Sequence, residues 1–220
     1  MQLLCCLDKL VEGSIEMTQH TETIRRRYDR VSVIYDVLES PMELMALKKW
    51  RLEVMKELKG KVLEVGVGTG KNIEHYPDGL DITAIDFSEK MLAKARNKAV
   101  KLGTKVDLRH MDVQNLEFPD QTFDTIFTTC VFCSVPDPII GLKEMGRVCK
   151  QGGKIIMIEH VRSEQAIVGL VMDVLNPLVV NLYGANINRR TVENVYKAGF
   201  SKVQVSNLSR DIVKKIQIYP

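Results

Sequence analysis

Residues 62–65 read Val-Leu-Glu-Val, and Gly66-Val67-Gly68-Thr69-Gly70 follows at once. Asp86 closes a second apolar run twenty positions after Gly66. A short apolar strand opening into a glycine loop, with an acid about twenty residues on, marks a nucleoside-containing ligand at the first crossover of a parallel sheet. The glycine spacing narrows the ligand. A dinucleotide loop wants Gly-x-Gly-x-x-Gly, so that backbone amides and a helix N-terminus face a pyrophosphate. Here the third glycine is Gly70 and position 71 is Lys71. Glu64 stands just before the first glycine; a carboxylate there repels a pyrophosphate and suits a cationic ligand with a free amino group.

The rest of the chain fits that frame. Its 220 residues suit one domain, and 45% hydrophobic with 27% charged residues allows a full core. A net charge of +3 is too small to argue for nucleic acid, so no nucleic-acid partner is expected. The cysteines (Cys5, Cys6, Cys130, Cys133, Cys149) are odd in number and show no disulfide spacing, which suits free thiols in the cytoplasm. Cys130-x-x-Cys133 lacks a second pair, so no metal is expected. No stretch reaches the roughly eighteen apolar residues of a membrane span. Residues 3–11 are apolar, but neither a basic flank nor a cleavage site accompanies them, which speaks against a signal peptide. Glu12-Gly13 implies purine-rich codons a ribosome-binding length before Met17, so in a bacterial source Met17 is expected to be the start, with residues 1–16 outside the native chain.

The periodicity predicts a helix over 18–39, with Ile24, Tyr28, Val31, Tyr35 and Leu38 on one face and Arg25, Arg26, Arg27 and Arg30 crowding its first half. A second helix is expected over 42–58, with Lys48, Lys49 and Arg51 around Trp50. Residues 1–58 thus read as a helical lid and 59–220 as the ligand-binding domain. Alternation then begins: strand 61–65, helix 70–76, strand 81–85, helix 89–102 capped by Ser88, strand 105–110, strand 123–129, helix 139–149, a Gly152-Gly153 turn and strand 154–159. Such alternation implies a parallel sheet with helices on both faces. An apolar insert spans 162–188, and Pro177 is expected to break its stretch 166–185 into two short helices. Helix 189–198 and two strands, 201–208 and 215–219, finish the chain as an antiparallel hairpin.

On these motifs the chain resembles class I S-adenosylmethionine-dependent methyltransferases over residues 24–219. The resemblance implies an α/β, Rossmann-like seven-stranded sheet, mostly parallel with a C-terminal antiparallel hairpin. S-adenosylmethionine, with its sulfonium and ammonium, answers the cationic requirement set by Glu64. Gly66, Gly68 and Gly70 match the loop under its methionine part, and Glu64 the acid that orders that loop and its amino group. Asp86 matches the acid that accepts both ribose hydroxyls, with Phe87 and Met91 near the adenine. Met111-Asp112-Val113 matches the segment meeting the adenine amino group and sandwiching the ring. Thr129 and Cys130 match positions lining the transferred methyl. Tyr28 is expected at the cofactor as part of the lid.

Two subfamilies share further residues. Val65 to Gly70, Tyr76-Pro77, Tyr28…Tyr35-Asp36 and Val135-Pro136-Asp137-Pro138 look like bacterial phosphatidylethanolamine N-methyltransferases. Phe132 to Val135, Glu159-His160-Val161 and Asn186-x-Asn188-Arg189 look like membrane-associated thiol methyltransferases. Quinone C-methyltransferases share the core, but their characteristic segment after the fourth strand is not visible. The favoured acceptor is the amine of phosphatidylethanolamine and its partly methylated forms, an amphiphile met at a membrane surface. A small thiol is the alternative enzyme reading, and a non-catalytic cofactor-binding protein the alternative of another class. His160, at the end of the fifth strand, is the candidate base, and Tyr35 the second candidate catalytic residue. Tyr28, Tyr35, His160, Tyr183, Arg189 and Arg190 are the candidate substrate residues, the two arginines because they suit a phosphate. The basic helices and the insert leave two places open, free in the cytoplasm or peripheral at the inner face of the membrane. The oligomeric state is unspecified.

Overall fold

A computed structural model describes residues 47–220. The expected helix over 18–39, with Tyr28 and Tyr35, and residues 1–16 lie outside the described residues, as does the first part of the 42–58 helix. The elements run α1 (Lys48–Met55), β1 (Lys61–Val65), a 3-10 turn (Ile73–His75), β2 (Asp81–Asp86), α2 (Glu89–Leu102), β3 (Asp107–His110), β4 (Phe123–Thr129), α3 (Pro138–Val148), β5 (Cys149–His160), α4 (Ala166–Tyr183), α5 (Thr191–Lys197), β6 (Val203–Ser209) and β7 (Val213–Ile218).

The strands form one seven-stranded sheet in the order β3-β2-β1-β4-β5-β7-β6. β1 pairs in parallel with both β2 and β4, while β7 runs antiparallel to β5 and β6. Chain order reverses between β1 and β4, which opens a crevice at their carboxyl ends. The register brings Val65 beside Ile85 on one side and Thr128 on the other. Gly66, Asp86 and Thr129 therefore leave the sheet along one edge.

Strand alternation divides the core. Leu63, Val65, Ile126 and Ile155 pack against α3 and α5 through Leu142, Met145 and Val195. Val62, Ile82, Phe127 and Ile156 pack with Val54 and Met55 of α1, and α2 buries Leu92, Ala95 and Ala99 on Ala84. Phe123, Phe127 and Phe132 are completely buried. Each contributes about 1.5–3 kcal/mol by leaving water.

Local signals set the helix ends. The Ser88 hydroxyl accepts from the Met91 amide at 3.3 Å, and Gly103, with φ of 65°, closes α2. The Asp137 carboxylate accepts from the Ile139 and Ile140 amides at 2.9 and 3.1 Å, with Pro138 at the first helical position.

Three expected elements differ. The helix over 70–76 is only the turn Ile73–His75, because Gly70 has φ of 84° and the buried Asn72 side chain is drawn to Glu64. β5 starts at Cys149, not 154; the Gly152-Gly153 turn is a bulge inside it, where pairing with β4 jumps from Phe123–Cys149 to Thr125–Lys154. The insert holds one helix, α4, with Pro177 inside it. The bond lost at Pro177 is offset by its neighbours: Asp173 is held by Arg162 and Asn188, and Asn176 by Asn186 and the Ile187 amide.

Candidate cofactor and acceptor site

A cavity of about 390 Å³ opens at the carboxyl ends of the parallel strands. One wall is the glycine loop. The Gly66 and Val67 amides donate to the Ile85 carbonyl at 2.8 and 3.0 Å, tying the loop to β2. Gly66 has φ of 74°, and a Cβ there would lie 2.4 Å from Val131 Cγ2. Only glycine permits that approach. Gly68 has φ of 55° and nothing within 4 Å of its missing Cβ, so its backbone faces open space. Gly70 does not line the cavity; it packs on Ile73 and Ala95.

Asp86 joins the loop to α2. One carboxylate oxygen accepts from the Gly68 amide at 2.9 Å, the other from the Ser88 amide at 2.8 Å. A carboxylate with two acceptor oxygens is the group a vicinal diol needs. Phe87, Met91, Met111 and Val113 line an apolar slot beside it. Asp112 stands at the slot, its carboxylate accepting from the Gln114 amide at 2.9 Å. Gln114 in turn accepts from the Asp137 amide at 2.9 Å, fixing this loop to the start of α3.

Glu64 lies behind the loop and outside the cavity wall. Its fully buried carboxylate accepts from Asn72 Nδ2 at 2.7 Å and from the Tyr76 hydroxyl. Burial pushes its carboxyl up to about 6, against the pull of these bonds and of Arg51. Arg51 continues the chain, donating to Asn72 Oδ1 at 3.0 Å and to Thr129 Oγ1 at 2.9 Å. Arg51 and Thr129 reach the cavity. Glu64 thus orders the loop through Asn72, not by touching the ligand space. Arg51 was expected on a membrane-facing basic helix; it is buried, because this network demands its charge. Arg51, Asn72 and Tyr76 were not singled out from sequence as site residues, though an arginine within the apolar stripe of a helix was a signal.

The opposite wall is the segment after β4. Cys130 has φ of 58°, and its amide donates to the Ile158 carbonyl at 2.7 Å. Glu159, wholly buried, accepts from Thr128 Oγ1 at 2.7 Å and from the Phe132 and Val131 amides at 3.1 and 3.3 Å. Burial pushes Glu159 up to about 7, the bonds opposing. Arg189 lies outside the cavity wall. Its guanidinium donates to the Val135 carbonyl at 2.8 Å and props this segment from behind, so it is not placed to meet a phosphate. Arg190 pairs with Glu193 at the surface, also away from the cavity. Tyr183 ends α4, and its side chain lies outside the described set.

Among the other candidate residues, Thr129, Cys130 and His160 line the cavity beside Ser134 and Ile187. Burial draws the His160 imidazole below its usual range, opposed by a bond to the Ile187 backbone. The imidazole is therefore neutral at physiological pH and able to accept a proton. Burial pushes the Cys133 thiol up to about 11, which leaves it un-ionised.

Residues 63–157 match the methyltransferase domain family. Over that segment the chain carries a methyltransferase domain, similar to class I S-adenosylmethionine-dependent methyltransferases. Phosphatidylethanolamine N-methyltransferase of Cereibacter sphaeroides is 45% identical over 103 residues, 46% of this chain and 51% of that protein. Demethylmenaquinone methyltransferase of Staphylococcus aureus (strain JH9) is 36% identical over 147 residues, 63% of this chain and 60% of that protein. The chain thus matches between half and three-fifths of these relatives' length. A Thermotoga maritima methyltransferase, described as a possible histamine N-methyltransferase, shares the fold with a TM-score of 0.65 at 24% identity, covering 88% of this chain and 98% of that one.

S-adenosylmethionine is the cofactor of such a methyltransferase domain, and the residues present fit it. Gly68 leaves room for close backbone approach, the Asp86 carboxylate lines the cavity where a diol needs an acceptor, and the slot of Phe87, Met91, Met111 and Val113 suits a flat ring.

Proposed function

We propose that this methyltransferase methylates the amine of phosphatidylethanolamine and its partly methylated forms at a membrane surface. The observation that carries the reading is the cavity's second half. Val131, Val135, Pro136, Ala185 and Ile187 make it apolar, and His160 stands in it with a neutral imidazole. An apolar wall with one proton acceptor suits an amine on an apolar body. The match to the Cereibacter sphaeroides phosphatidylethanolamine N-methyltransferase supports the same acceptor.

The chain's residues divide the work. When bound, S-adenosylmethionine supplies an electrophilic methyl on a sulfonium. Asp86 and the glycine loop hold its nucleoside and methionine parts. The segment Cys130–Val135, fixed by Glu159 and Arg189, sets where the acceptor nitrogen stops and excludes water. His160 accepts the proton that the ammonium sheds, freeing the lone pair that takes the methyl.

The longer match to the demethylmenaquinone methyltransferase favours a second reading, with a reduced quinone carbon as acceptor. Comparing kcat/KM on ethanolamine phospholipid, on a reduced naphthoquinone and on a small thiol separates these acceptors. Methylated ethanolamine lipid as the dominant product supports the proposal. Preferred methylation of the quinol or thiol overturns it, and cofactor binding without any product points to a non-catalytic binding protein.

A further inference from the structure

Helix α4 is packed inside out. Its polar groups Asp173 and Asn176 face the body of the protein, and Asn181 near its end is exposed. Asp211, in the turn between β6 and β7, accepts from Ser163 Oγ and the Glu164 amide, both at 2.7 Å, and so fastens the start of the helix. Arg162 donates to Asp173 through Nε at 3.0 Å and Nη2 at 2.8 Å, and Asn188 donates to the same carboxylate at 3.0 Å. Asn176 accepts from the Ile187 amide at 2.9 Å and donates to Asn186 at 3.2 Å. Gly169 lies under Arg162, where a Cβ would stand 2.5 Å from its Nη1.

The other face points outward and is aliphatic. Ile167, Leu170, Val171, Val174, Leu178 and Leu182 recur at helical spacing and are all exposed, from 50% at Val171 to 79% at Ile167. An ordinary surface helix has the reverse arrangement, apolar inward and polar outward. A contiguous apolar ridge of this kind marks a surface that leaves water in use.

We infer that the α4 ridge seats in the interfacial layer of a phospholipid bilayer, with the helix lying along the membrane plane. Three observations choose this occupant. First, the large exposed side chains of the ridge are Ile, Leu and Val, interrupted only by Pro177 and Asn181, whereas the centres of protein interfaces are enriched in aromatics, Met and Arg. Aliphatic side chains match acyl chains. Secondly, the ridge runs into the site. α4 ends at Gly184, and Ala185, Asn186 and Ile187 line the cavity. A lipid held on the ridge is therefore expected to have its head group beside these three lining residues. Thirdly, no helix among the described residues is long and apolar enough to cross a membrane, so α4 lies on the bilayer.

This inference deepens the acceptor reading and rests on it only for delivery of a lipid to His160. Its energetic basis is distinct from that of a basic amphipathic peptide. The polar side of α4 is taken up by the protein, so attachment comes from apolar burial and resists salt.

Flotation of the full chain with vesicles of phosphatidylethanolamine and phosphatidylglycerol tests it, at low and at high salt. The wild type is expected to float in both. The triple variant L170Q/V174Q/L178Q is expected to lose at least tenfold in vesicle binding, with S-adenosylmethionine affinity and thermal midpoint unchanged. A triple variant that floats like the wild type overturns the inference, as does a wild type released by salt or never bound. In the last case, sedimentation reports whether a second copy covers the ridge. Methyl transfer to a detergent-dispersed ethanolamine lipid is read separately. Flotation without that transfer rejects the acceptor reading alone, and transfer without flotation rejects the ridge alone.

Discussion

The Asp86 carboxylate accepts from the Gly68 amide at 2.9 Å across the gap between the first two parallel strands. This bond shapes the glycine loop before any ligand arrives, and the same carboxylate lines the cavity where a ribose diol is expected. Asp86→Ala removes both roles. A hydrogen bond to a charged group contributes about 1.5–3 kcal/mol, so S-adenosylmethionine affinity is expected to fall roughly 10- to 100-fold. Isothermal titration calorimetry measures this directly, and an unchanged Kd would refute the assignment.

The glycines of the loop make different demands. At Gly66 an added methyl meets Val131 at 2.4 Å with φ of 74°, so Gly66→Ala combines overpacking with backbone strain. It is expected to cost about 1–3 kcal/mol of stability. Gly68 has open space, so Gly68→Ala adds only the strain to the fold but places a methyl toward the ligand. Urea denaturation is predicted to show the larger loss for Gly66→Ala. Titration is predicted to show weakened cofactor binding for Gly68→Ala in a protein that still folds.

Glu159 gives a pH signature. Its carboxyl is raised from 4.5 to about 7, chiefly by burial. A raised folded-state value means that this contribution to stability is fully present below about pH 4.5 and is lost as pH rises through about 7. Glu159→Gln lacks this dependence but presents an amide donor to a site of donors, with an expected cost of about 1–3 kcal/mol. The stability gap between wild type and variant should therefore be widest at acid pH and narrow toward pH 8. A gap that widens with pH contradicts the assigned environment. Because Glu159 positions the acceptor segment, KM for the acceptor should rise more than KM for the cofactor.

His160→Gln keeps the size of the side chain and removes the base. General-base catalysis contributes about 10²- to 10⁴-fold, so kcat on an ethanolamine lipid should drop within that range while cofactor affinity holds. Burial depresses the imidazole, so the neutral form persists to lower pH than for a free histidine. The wild-type rate should therefore stay level through neutrality on the His160 limb and fall only as pH drops below the depressed value. A variant with full activity across this range excludes His160 as the base.

Sequence carried the fold well where residues speak locally. The apolar runs, Ser88 at the start of α2 and Gly103 at its end, and Asp86 at a strand end place most of the sheet and half of the site. Reading failed where distant side chains decide. The helix over 70–76 collapses to one turn because Asn72 is claimed by Glu64 and Arg51. Pro177 stays inside α4 because Asp173 and Asn176, in the turn before it, are pinned by partners at 162 and 186–188. In sequence Arg51 reads as helix-face charge and Arg189 as a phosphate ligand, and only the folded chain shows them spent on Thr129 and Val135. Glu159 was legible only as part of a family-like motif; its bonds to the segment after β4 need the sheet register that brings β4 and β5 together.

The most direct test of the account follows the methyl group itself. The full chain is incubated with methyl-labelled S-adenosylmethionine and vesicles holding phosphatidylethanolamine, and the extracted lipids are resolved by mass spectrometry. Labelled mono- and further-methylated ethanolamine lipids are expected from the wild type, reduced at least tenfold in Asp86→Ala. Absence of label from the lipids, in a protein that binds the cofactor, would contradict the phospholipid acceptor.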